Sequence, residues 1–421
     1  MRDHELRNLL NDELHGRPGI PVTAPSRVTH LAFTVGDGDG DPLPHVKMLC
    51  DTLGVKAPAD GSPHHTAEIA GGQFKYERHG EFYRVSVVAE GGPEKGEALV
   101  ILPVGWVDGL PGDRLVGIHT RIMAKTEPTP DEAMLVSLFG HEELAGARTS
   151  SGLATVWTDF RIGKDGYTRM LAQDHGLSPL RLGRVIRRIL EIETYRMMAL
   201  LALPMARKVQ GELAVLERAV SKVTADMLAA QESHEDAELL TQLSRIARDV
   251  EEISSRTSYR FAAARAYAAL VDKRIAELNE EKVMNFQRIG VFLDRRFGPA
   301  MSTCVATTER ITSLAQRSER ASNLLRTRVD IALEGQNQQV LKSMEKRAHQ
   351  QLRLQQTVEG LSVVAISYYG IGIVTKLIDA LGERLHADVK LAEIIAIPLV
   401  IAIVWGSIRR MRYRILRSEV E

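Results

Sequence analysis

Apolar residues recur along this chain with three periods, and the periods divide it. In residues 27–35, "RVTHLAFTV", and 82–90, "FYRVSVVAE", they alternate with polar ones, the signature of half-buried strands. "FKYERHGEFYRV" reads as a hairpin turning at His79-Gly80. "DRLVGIHTRIM" and "LATVWTDFRIG" supply two more strands, and "DPLPHVKMLCDTLG" supplies a helix. Beyond residue 180 the period becomes helical. Val209, Leu213, Leu216, Val220, Val223 and Met227 recur in steps of four and three, as do Leu239, Leu243, Ile246, Val250 and Ile253. Near the C-terminus the pattern ends in two unbroken apolar runs, residues 358–378 and 391–408.

The pattern predicts an α+β cytoplasmic domain over residues 1–175, followed by a long helical, coiled-coil-like stalk domain over 176–356. Two transmembrane helices, 358–378 and 391–408, form a hairpin within 357–408, and a basic cytoplasmic tail occupies 409–421. The first span covers about 31 Å at 1.5 Å per residue and the second about 27 Å, both workable for a hydrocarbon core. Within the stalk, "QESHEDAE" at 231–238 reads as a helix–helix connection, and Gly298-Pro299 as the end of another helix.

Charge sets the orientation. Arg409, Arg410, Arg412, Arg414 and Arg417 follow the second span and Lys342, Lys346, Arg347 and Arg353 precede the first, whereas the loop between them holds only Arg384 and Lys390. The positive-inside bias places both termini in the cytoplasm, with Trp405, Arg409, Arg410, Arg412 and Tyr413 anchoring the inner interface. The charged start, "MRDHELRNLLNDELHGRP", has no apolar stretch of a cleaved signal, which agrees with that placement. Lys+Arg and Asp+Glu both total 54, so no net field attracts nucleic acid. The stripe Val329, Leu333, Gln336, Val340 and Met344 runs towards the first span and implies a homo-oligomer. Gln336 on it would fix register, face solvent at the edge, or line a central axis.

Chemistry-bearing motifs are few. Ten of the 13 histidines precede residue 176, yet "HEELA" has Ala145 where a zinc protease needs its second histidine. "DGDGDP" puts Pro42 and Met48 where a calcium loop needs glycine and glutamate. Cys50 and Cys304 match no metal or redox spacing. No nucleotide-binding or nucleophile-elbow motif occurs. Asp12, Glu13, His15 and Arg17, in a segment broken by prolines, form either a ligand or ion site or an ordered arm. No catalytic residue, metal or cofactor emerges.

Several of these stretches have a familiar wording. "NDELH", Arg17-Pro18, Thr23-Ala24-Pro25, "LEIETYR" (residues 190–196) and Ser367-Tyr368-Tyr369 resemble a bacterial family of predicted membrane-anchored proteins. That resemblance implies inner-membrane attachment and leaves activity open. The build as a whole is similar to CorA-type magnesium channels, which implies pentamers whose first span ends in Tyr-Gly-Met-Asn. Tyr369, Gly370, Ile371 and Gly372 stand at those four positions, so Gly372 replaces the asparagine, and the motif falls inside the span rather than at its mouth. Ser367, Tyr368, Tyr369, Gly370 and Gly372 are therefore helix-packing or pore residues. The function expected is a non-catalytic scaffold or sensor on the inner membrane with a bilayer and its own copies as partners. The alternative is a divalent-cation channel or transporter, and a tethered enzyme is a third reading.

Overall fold

The computed structural model describes residues 3–7, 11, 19–36, 38–229, 233–385 and 389–418. The chain forms two compact units, Met1–Ala229 with Glu238–Asn323, and Ala230–Ala237 with Leu324–Glu421.

The first unit is built on a mixed sheet of nine strands among the described residues, in the order β2-β3-β4-β1-β5-β8-β7-β6-β9. The strands are β1 (Ser26–Thr34), β2 (His64–Ile69), β3 (Gly72–Arg78), β4 (Phe82–Glu90), β5 (Asp113–Met123), β6 (Ala145–Thr149), β7 (Ala154–Ile162), β8 (Thr168–Asp174) and β9 (Glu281–Lys282). All pairs are antiparallel except β5 with β8. The predicted hairpin is β3–β4, and the predicted strands at 27–35 and 82–90 are β1 and β4.

Alternation along β1 sorts its side chains to opposite layers. Val28 and Ala32 join Phe82 and Ile118 under helix α3 (Pro179–Leu200). Leu31 and Phe33 join Phe74, Tyr83 and Val85 under helix α1 (Leu43–Leu53), which stops at Gly54 with φ 68°. With both faces covered, the first eight of the nine β1 residues are buried, polar ones included. A short helix α2 (Glu132–Phe139), capped by Asp131 accepting from the Met134 amide, covers Trp157 and Leu171 near β6–β8.

Three long helices complete the unit: α4 (Ala202–Ala229), the larger part of α5 (Ser233–Leu278) and the first part of α6 (Ile289–Leu385). Arg310 pairs with Glu217 at 2.8 Å, Arg256 with Glu212, and Gln210 reaches Thr307 at 3.4 Å, so α4 touches both other helices. The helix end predicted at Gly298-Pro299 is a correction. α6 runs through Pro299 because Phe292, Leu293, Phe297 and Cys304 are buried along one side of it, and this burial outweighs one lost backbone hydrogen bond. The turn lies earlier, at 279–288, where β9 joins the sheet edge on β6.

The second unit holds the rest of α6 and helix α7 (Val389–Ser418). Here too the sequence expectation needs correction. It asks for a hairpin of two spanning helices. Among the described residues one helix, α6 over Ile289–Ala380, is long and apolar enough to cross a membrane, with mean hydropathy 1.7 over its best window. That window is almost wholly exposed, unlike the core helix of a globular domain.

Candidate functional site

The most polar part of the interior lies where α3 crosses β1, β3 and β4. Strand register puts Lys75 beside Ser86 and Glu77 beside Arg84, while Ser86 sits beside His30. On α3, Arg187, Glu191 and Thr194 come round every three or four residues to the same side. Each of Lys75, Glu77, Arg84 and Glu191 is at most 4% exposed. Isolated charges this deep would cost many kcal/mol, so the geometry must pair them.

It does. Arg84 Nε donates to Glu77 Oε2 at 2.6 Å, and Lys75 Nζ lies 3.0 Å from Glu77 Oε1. Glu191 is the hub: Arg187 reaches it at 2.7 Å, Arg274 of α5 at 2.5 Å and Arg84 at 3.3 Å. Arg274 also pairs with Glu277 at 3.1 Å, which Arg188 meets at 3.2 Å. Burial alone would raise both carboxyls, but the surrounding cations outweigh it. They hold Glu77 down at about 2 and Glu191 below its ordinary value. Desolvation opposes the charge on Arg84, but the same ion pairs raise it, whereas burial lowers Lys75 against the pull of Glu77.

His30 completes the row. Its Nε2 lies 3.1 Å from Thr194 Oγ1, and that hydroxyl donates to the Leu190 carbonyl at 2.8 Å. Thr194 therefore accepts, Nε2 carries the proton, and Nδ1 accepts from Ser86 Oγ at 2.7 Å. Burial, then the nearby Arg84 charge, pushes the His30 imidazole down to about 3. A Ser–His pair of this kind is not a nucleophile and its base. The histidine is too weak to take the serine proton at neutral pH, and its far nitrogen rests on a hydroxyl instead of a carboxylate.

A cavity of about 40 Å³ opens among these groups, bordered by His30, Lys75, Glu77, Arg84, Ser86 and Arg187. It exceeds the 10–15 Å³ or so that one water needs and is far below the size of an organic substrate. Its other wall is the segment before β1. The Val22 amide donates to the Pro179 carbonyl at 3.0 Å, and a Cβ on Gly183 would stand 2.0 Å from the Ile20 carbonyl oxygen. Glycine is required there for backbone to lie against helix. A second buried histidine, His119, contacts Thr29 at 2.9 Å and stacks on Tyr167 at 4.0 Å; burial lowers it to about 4.

The residues singled out by sequence are elsewhere. Asp12, Glu13, His15 and Arg17 lie outside the described residues. Gln336 is exposed on α6. Ser367 is buried, whereas Tyr368 and Tyr369 are 75% and 70% exposed with rings 5.8 Å apart. Gly370 faces α7: a Cβ there would lie 3.0 Å from Val400 Cγ1, while Gly372 has open space. Trp405 carries the Arg409 guanidinium over its ring at 5.0 Å, and Arg410 is exposed. Arg412 and Tyr413 fall outside the residues whose side chains are described. What sequence reasoning missed is the buried network. The available signal was "LEIETYR", which supplies Glu191, Thr194 and Tyr195 to this layer.

These features define a class, an α+β protein whose ion-paired interior is joined to one long apolar helix. The chain belongs to the family described as Protein of unknown function (DUF3422), whose model matches residues 2–415. Comparison with curated proteins and with solved structures gives no match.

Proposed function

We propose that the chain is a bacterial inner-membrane protein, anchored through the apolar stretch of α6 with its first unit in the cytoplasm, that works as a non-catalytic, homo-oligomeric scaffold or sensor. One observation carries this reading: much of the apolar surface of α6 beyond the first unit is exposed among the described residues. Leu333 and Val340, and Leu354 and Leu361, are pairs seven residues apart with Arg347 at the position between the pairs, and all four are 53–72% exposed; Met344 and Val358 follow Val340 and Leu354 by four residues, exposed to 60% and 58%. Apolar pairs seven residues apart on an exposed helix suit one face of a parallel coiled coil even where Arg347 interrupts it, and a shared membrane anchor would enforce the parallel alignment. The bilayer covers the stretch that follows.

The test uses the full chain in its native membrane. It resists carbonate extraction, and Val340→Cys forms a disulfide between copies on mild oxidation. Met344→Asp abolishes that cross-link without changing the melting of the first unit. Release by carbonate, or a cross-link that Met344→Asp does not weaken, overturns the reading. Divalent-cation flux into proteoliposomes above empty vesicles would replace the scaffold with a channel.

A further inference from the structure

The first unit contains a second, larger opening. Helices α5 and α6 follow one another through the turn at 279–288, so they run antiparallel, and between them lies a cavity of about 440 Å³. That volume is within the range of sites that hold an organic ligand, and the seam between bundle helices is a common place for one. Its floor is buried: Thr257, Phe261, Ala264, Cys304 and Ile311 are each at most 6% exposed. Small side chains on α5, Ala262, Ala264 and Ala268 among them, keep the two helices from filling it.

The lining fixes the chemistry. Thr257 Oγ1 donates to the Ile253 carbonyl at 2.7 Å, Thr308 to Cys304 at 3.0 Å and Thr312 to Thr308 at 3.1 Å. The threonine hydroxyl protons are thus spent on their own helices, and the floor presents methyl, aromatic and sulfur surface. The charges are at the rim. Arg265 and Glu309 are exposed, and neither has an ion pair or side-chain hydrogen bond among the described residues. Arg265 is 13 residues from the α5 end of the turn, and Glu309 is 20 residues from its α6 end. The cation is therefore nearer the turn by about 10 Å along the axis, too far for the two to neutralise each other.

We propose that this seam binds a single-chain carboxylate amphiphile, its apolar chain on the floor from Phe261 to Ile311 and its carboxylate on the Arg265 guanidinium. Guanidinium and carboxylate pair in a two-pronged, charge-assisted geometry, whereas the floor rewards only apolar contact. The site deepens the sensor reading above by naming a ligand class, and α6, one wall of the seam, is the helix that continues into the apolar stretch. It does not need membrane attachment, so carbonate release would leave it standing.

The two cysteines supply the assay. Cys304 lies on the floor of the seam and Cys50 on the buried side of α1, so Cys50 is an internal control. In the full chain, dodecanoate slows alkylation of Cys304 by N-ethylmaleimide and leaves Cys50 unchanged, read by peptide mass spectrometry. Dodecanol and dodecylamine protect less well. Arg265→Gln weakens dodecanoate about tenfold, the loss of roughly one charge-assisted contact, with the basal labelling rate unaltered. Ala268→Trp, which fills the seam, removes protection by all three. Absence of dodecanoate protection, equal protection by dodecanol or dodecylamine, or an Arg265→Gln variant that binds dodecanoate unchanged would overturn the proposal.

Discussion

Two regions of this molecule invert the usual placement of side chains. Beneath α3, the charged groups Lys75, Glu77, Arg84 and Glu191 are inside. On α6 past the first unit, Leu333, Val340, Leu354 and Leu361 are outside. The inversions are settled differently. The buried charges find each other within one chain, so that region is complete by itself. The exposed apolar stripe has no cover among the described residues, which is what the proposed oligomer would supply. Buried charge here goes with closure, and the exposed apolar surface is the part on which the proposed partner rests.

The largest expected effect tests closure. Glu191→Leu leaves Arg84, Arg187 and Arg274 around an absent carboxylate and should cost about 3–5 kcal/mol, seen as a collapse of the urea midpoint of the full chain. Glu345→Gln, a carboxylate lost from the exposed part of α6, should stay within about 0.5 kcal/mol. Similar losses would end the comparison.

Acid comes next. His30 is held at about 3 and His119 at about 4 in the folded chain, both below the ordinary 6.5. The unfolded chain then binds more protons between those values, so stability falls as pH drops below 6.5. Each histidine should cost about 2 kcal/mol between pH 7 and pH 5. Below pH 4.5, Glu77, held down at about 2, adds to the loss in the same direction. Melting temperature against pH is the measurement, and His30→Gln, which can keep both hydrogen bonds, should flatten its slope.

The smallest effect is the sharpest, because one substitution changes sign between the regions. Gly183 and Gly335 both lie inside helices. Alanine at 183 would push a Cβ to 2.0 Å from the Ile20 carbonyl oxygen, whereas at 335 nothing lies within 4 Å. Gly183→Ala should destabilise by about 1–3 kcal/mol. Gly335→Ala should stabilise its helix by up to about 1 kcal/mol, read in thermal melts.

Much of the fold was legible in sequence because it rests on period. The β3–β4 hairpin, the strands β1, β4, β5 and β7, and the long helices all announce themselves by alternation or by steps of three and four. The buried network did not. Lys75, Glu77 and Arg84 alternate with Phe74, Tyr76 and Tyr83, the pattern of a solvent-facing side. Only α3, more than 100 residues later, brings Glu191 to cover them. The break expected at Pro299 failed for a related reason, since buried neighbours decide whether a proline ends a helix. The α5–α6 seam was invisible because alanine, serine and threonine read as ordinary helix surface until a second helix stands opposite.

The single parallel pair has a consequence for how the sheet assembles. Pairs such as β3–β4 and β7–β8 can close as local turns, but β5 meets β8 only after α2, β6 and β7 have been passed over. Contacts of long sequence separation form slowly, because the intervening chain must first be drawn together. That pairing joins two parts of the sheet built from separate stretches of chain, β2–β3–β4–β1–β5 on one side and β8–β7–β6 on the other. A nascent chain halted before residue 168 would present β5 as an open edge, waiting for its last neighbour.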